Sequence, residues 1–206
     1  MSLNINESQP SQATFVRPLP KAGSQPARIS HIVELGVQHR PAFQGKEKPP
    51  VHQVYINVEL VNDEYEHEGK TYKHRVGMKP LNVVSKTSKF YSNSAMAGFL
   101  AAVDPQDAIG GELTKLANAP LLATVAHVTG YGKHAGKTFA NITGVMTPPV
   151  GFTVNPLSEE PVVFTFDNPE NWGKLPKFLQ DKIRSAVNYA GSKVEKFVST
   201  YKEEPY

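Results

Sequence analysis

The stretch VYINVELV, Val54–Val61, decides the fold class. Val54, Ile56, Val58 and Leu60 alternate with Tyr55, Asn57, Glu59 and Val61, and this period of two predicts a strand with one buried face and one wetter face. On its C-terminal side an acidic turn through Asp63, Glu64, Glu66, Glu68 and Gly69 leads into Thr71–Val76, which reads as the returning strand. On its N-terminal side Ile29, Ile32, Val33, Leu35 and Val37 form another β-rich run. Its alternation breaks at Ile32 and Val33, and Gly36 sits inside it, which together predict a bulged or strongly bent first strand. Between the two runs Gln38 to Pro50 reads as a loop, punctuated by Pro41, Gly45, Pro49 and Pro50.

Further along, Asn82 to Tyr91 fits no element, and Ser94 is placed to cap a short helix over Ala95–Val103, ended by Asp104 and Pro105. Leu121–Val128 and Thr138–Met146 read as a hairpin around the loop Gly130–Gly136, and Pro161–Phe166 as one more strand. Leu175, Phe178, Leu179, Ile183, Val187, Ala190, Val194 and Phe197 form a stripe at helical spacing, predicting a C-terminal helix of about 22 residues. Such a stripe is structural: it covers one open end of a barrel or pairs with its counterpart in a homodimer. The expected class is mainly β, a five-stranded OB-type barrel with a short helix between strands three and four and a long C-terminal helix. SH3-like barrels and β-sandwiches share this order of elements. The expected organisation is a flexible Ser/Gln/Asn/Pro-rich arm over 1–25, the barrel over 26–151, a strand and helix over 152–200 and an acidic-aromatic tail over 201–206.

The chain of 206 residues is 39% hydrophobic and 20% charged, enough for a folded core. It has no cysteine, which excludes disulfides, thiolate nucleophiles and Cys-type zinc sites. No apolar run reaches the roughly 20 residues that span a bilayer, and no basic-then-apolar leader stands at the N-terminus, so the expectation is a cytoplasmic protein without a membrane partner. A net charge of +3 says little by itself, but its distribution is uneven. Between Gly69 and Val103 there is no acid, while Lys70, Lys73, Arg75, Lys79, Lys86 and Lys89 are present; between Leu113 and Ser158 acids are again absent. Positive potential concentrated in this way steers a phosphate backbone.

The loop Gly130–Thr138 invites comparison with a phosphate-binding P-loop and fails it: Gly130 leaves five residues before the final Gly-Lys-Thr and Gly132 leaves three, where four are needed, and a strand follows where a helix is required. Tyr131, Lys133 and Lys137 suit a hairpin that clamps a single strand instead. The aromatics Tyr55, Tyr72, Tyr91 and Tyr131 lie beside cations, the combination that unstacked bases and phosphates need. With them the expected nucleic-acid-binding set is Arg40, Lys46, Lys48, Lys73, Arg75, Lys79, Lys86, Lys89, Lys133 and Lys137, while Phe99 and Phe139 are assigned to the core. No pair of the seven histidines has metal-ligand spacing, no two carboxylates are singled out as facing each other, and no G-x-S-x-G occurs, so no cofactor, metal or enzymatic activity is expected. Glu203, Glu204 and Tyr206 form a short tail of the kind that docks on a basic, hydrophobic pocket of a partner.

The residues Pro20–Gly23, Ala27–Ile29, Glu34–Val37 and Val58–Val61, with Phe166–Asn168 and Asn188–Ser192 near the end, resemble those of OB-fold single-stranded DNA-binding proteins of tailed bacteriophages, over about residues 17 to 197. The resemblance implies an OB-fold, sequence-tolerant binding of single-stranded DNA, and service to replication or recombination proteins in the host cytoplasm. Members often carry a long acidic tail, whereas this chain has only Glu203 and Glu204. The other expectation is a non-enzymatic protein-interaction module that uses the C-terminal helix as its interface.

Overall fold

A computed structural model describes residues 15–201. Seven strands form one open, mostly antiparallel sheet: β1 (Gly23–Phe43), β2 (Lys46–His67), β3 (Lys70–Gly77), β4 (Leu81–Asn82), β5 (Pro120–Thr129), β6 (Thr138–Met146) and β7 (Val162–Phe164). The order is β3-β2-β1-β5-β6, with β4 added to β2 and β7 added in parallel to β1. The expected closed five-stranded barrel is not formed. β3 and β6, the two ends of the path, come alongside each other without a ladder between them. β3 is only eight residues long, and a bulge between Leu60 and Glu64 redirects the strand it pairs with.

β1 is bent by bulges between Ile29 and His31 and between Glu34 and Gly36, as its broken alternation predicts. The break has a direct cause, since this strand is buried on both faces. Ile29 and Ile32 enter a core on one side with Val54, Ile56, Val58, Leu60, Phe99 and Leu121, while Val33 and Leu35 enter a second core on the other side with Phe164, Trp172, Leu179 and Ile183. The second face of Val54–Val61 is consequently not wet: Tyr55 is half-buried in the second core, and Glu59 and Val61 are buried. Gly36 has φ +73°, and a Cβ there would lie 2.6 Å from Phe166, so only glycine allows the second core to close on this bend.

Three further expectations are corrected. Gln38–Pro50 is not a loop: β1 and β2 continue as a two-stranded ribbon to a tight turn at Gln44 and Gly45, both at positive φ. Pro41, Pro49 and Pro50 fit there because ribbon edges leave backbone N–H groups unused in any case. The arm does not extend to residue 25, because Lys21 N donates to Asp63 Oδ2 at 2.7 Å and His127 Nε2 meets the Pro20 carbonyl at 2.8 Å. The long C-terminal helix is two short ones, α2 (Lys177–Arg184) and α3 (Lys193–Thr200), following α1 (Ala95–Val103). Between them Val187 N donates to the Val37 carbonyl in place of a helix bond, Asn188 Oδ1 accepts from Val37 N, and Gly191 at φ +76° precedes the Ser192 cap of α3. Both helices pack on the chain's own sheet, where Leu175, Leu179, Ile183 and Val194 are buried. No helix among the described residues is long and apolar enough to cross a membrane.

Candidate nucleic-acid interface

Arg28, Glu59 and Arg75 stand in one cross-strand row on β1, β2 and β3. The Glu59 side chain is 0% exposed, yet its carboxylate is fully engaged: it accepts from Ser158 N and Ser158 Oγ, both at 2.7 Å, and from Arg75 Nε at 3.0 Å. Arg75 also reaches Glu159 at 2.9 Å, and Arg28 donates to the carbonyls of Asn118, Val154 and Asn155. This row fastens residues 154–159 across three strands. Arg75 thereby serves the framework, its guanidinium committed to two carboxylates. His31 lies beside the row; burial pushes its pKa down to about 4, helped by the Arg75 charge and opposed by Glu159 and Glu59.

Next to this row, at the β2–β3 end of the sheet, is an open groove of about 790 Å³ lined by Arg17, Tyr65, Lys70, Thr71, Tyr72, Lys73, Arg75, Ser158 and Glu159. Tyr65 and Tyr72 are directly cross-strand, with ring centroids 5.6 Å apart and planes within 23°. Arg17 lies over the Tyr65 ring at 5.3 Å, and Phe15 stacks on His67 at 3.7 Å. Lys73 pairs with Glu64 at 2.6 Å, both side chains reaching water. Lys70 holds no ion pair among those of the described residues. Of the expected set the groove thus gathers Tyr72, Lys73 and Arg75, and it adds Arg17, Tyr65, Lys70 and Thr71. Tyr65 is missed when Asp63–Glu68 is read as an acidic turn; its signal is the continued alternation Val61, Asp63, Tyr65, His67, which keeps these residues on one side of β2.

The other expected residues are dispersed. Tyr55 is set edge-on to Phe178 at 5.9 Å and closes over Gly77, where a Cβ would overlap its hydroxyl; this core position, which raises its pKa by burial, removes it from any stacking role. Lys86 is paired with Asp107, Lys89 lies over the Phe90 ring, and Tyr91 is half-buried against α1 in a small cavity with Met96 and Leu100. Lys79 is exposed after β3. Tyr131, 89% exposed, and Lys137 are at the β5–β6 tip, with Lys133 in the same turn. Phe139, expected in the core, is 39% exposed beside His134, whereas Phe99 is buried as expected. Arg40, Lys46 and Lys48 lie on the β1–β2 ribbon. Glu203, Glu204 and Tyr206 fall outside the described residues.

No family model, curated protein or solved structure matches the chain.

Proposed function

We propose that the chain is a single-stranded DNA-binding protein of the OB type, tolerant of sequence, that holds exposed strands during phage-type replication or recombination. The observation that carries this reading is the Tyr65–Tyr72 platform with Arg17, Lys70 and Lys73 around it. Unstacked bases take up aromatic faces while phosphates take up neighbouring cations, and a duplex offers no free base faces to such a groove. The strand order lends support, since in an OB-fold the face of the second and third strands, where the groove lies, takes part in binding single strands.

The test is fluorescence-anisotropy titration of a labelled dT oligonucleotide at two salt concentrations. With about four phosphates neutralised, log K falls against log salt with a slope near −3. Tyr72→Ala weakens binding by roughly 1 to 3 kcal/mol without unfolding the protein, because Tyr72 is 41% exposed. Salt-independent binding, or binding to blunt duplex as tight as to dT, would overturn the reading.

A further inference from the structure

The β1–β2 ribbon stands apart from both cores. From Gln38↔Val51 outward its strands pair only with each other, and residues 39–50 are exposed apart from the half-buried Arg40 and Lys48. A two-stranded ribbon with no packing of its own is at most marginally stable in water, so burial does not account for it. Its root is fixed: Gln38 is 2% exposed and donates through Nε2 to the carbonyls of Leu35 and Lys182. Beyond the root it carries Arg40, Lys46 and Lys48 against the single acid Glu47, and none of these three cations is in an ion pair among those of the described residues. At its tip Phe43 is 58% exposed with Lys48 Nζ 4.4 Å from the ring centre.

We infer that this ribbon is a docking element for duplex DNA flanking the bound single strand, so that the protein favours single-strand/double-strand junctions. The inference rests on the groove being the single-strand site. Unneutralised cations call for a polyanion, and Phe43 is the ribbon's single aromatic ring, too few for a run of stacked bases. A two-stranded ribbon has the width that a major groove of about 12 Å admits, with cations reaching the phosphates on its rims. Lys48 and Tyr65 are 17 positions apart on β2, so ribbon and groove are placed to engage different parts of one ligand.

The experiment compares three labelled DNAs at equal salt: dT alone, a blunt duplex, and that duplex with a dT overhang. The overhang is expected to bind at least tenfold tighter than dT alone, and R40A/K46A/K48A to lose that gain while its affinity for dT stays within twofold of the parent. The triple variant keeps its fold, checked by circular dichroism, because none of the three side chains is buried in a core. Equal affinity for overhang and dT, or a gain that survives the triple variant, overturns the inference while leaving the groove intact. Duplex binding that needs the ribbon, in a protein that does not bind dT, overturns the groove reading and with it the junction preference. A Phe43→Trp reporter that shifts its emission with dT alone assigns the ribbon to the single strand and also overturns the inference.

Discussion

Lys73 and Arg75 lie two residues apart on the same side of β3, and each holds a carboxylate at short range, 2.6 Å to Glu64 and 3.0 Å to Glu59. Distance alone makes them equivalent. Their surroundings do not: the Glu64 side chain is 53% exposed, whereas that of Glu59 is fully buried and bonded twice more by Ser158. An exposed pair is worth at most about 1 kcal/mol and exchanges readily for a phosphate, whereas a buried carboxylate stripped of its partner is left as an uncompensated charge. The lesson is that a basic stretch is not a uniform surface. Its cations divide into those that hold the fold and those free to meet a ligand, and the burial of the partner draws the line.

The largest effect that tests this division is on Arg75. Arg75→Ala is expected to lower unfolding free energy by about 3–5 kcal/mol in urea titration. A variant of near-parental stability with weakened DNA binding would make Arg75 a ligand contact and not a framework residue.

A smaller effect sharpens the division through pH. The folded His31 pKa of about 4 lies below the ordinary 6.5, so as pH falls the unfolded chain takes up the proton first. Stability is full above pH 6.5 and declines toward pH 4, by on the order of 2 kcal/mol after allowance for solvent screening. His31→Gln flattens that part of the stability profile; an unchanged slope would show that His31 is not held neutral beside Arg75.

The smallest effect is on Lys73. Its change to Ala is expected to alter stability by less than about 1 kcal/mol while making the salt slope for dT shallower by about 0.7. A destabilisation like that of Arg75→Ala would erase the contrast.

Much of the sheet is legible in the sequence, because period-two burial in Val54–Val61 and the Ser94 cap of α1 are local signals. What escapes is set by distant partners. The C-terminal stripe has helical spacing from Leu175 to Phe197, yet the Val37 carbonyl takes the Val187 N–H that would have continued the helix, and the Asn188 side chain accepts from Val37 N. Proline in Gln38–Pro50 suggests a loop, since composition does not distinguish a loop from a ribbon with free edges. The site is less legible than the fold. Tyr72 and Lys73 stand out as an aromatic beside a cation, but Tyr65 is hidden among acids, and Arg17 reaches the groove from a segment far from β2 in sequence. Tyr55 has the same local signature as Tyr72, and only the packing of Phe178 separates them.

The parallel pairing of His31–Val33 with Val162–Phe164 bears on how the chain is made. The partner of this part of β1 is encoded about 130 residues later, and the contact closes a loop through most of the protein. During synthesis β1 can find β2 early, and then β5, but its edge beyond Ile29 stays unpaired until the C-terminal part leaves the ribosome. A product cut short before Val162 would carry that hydrogen-bonding edge and the apolar face of Val33 and Leu35 uncovered, a template for joining other chains. The last quarter of the sequence is therefore the step that makes the first strand safe from aggregation.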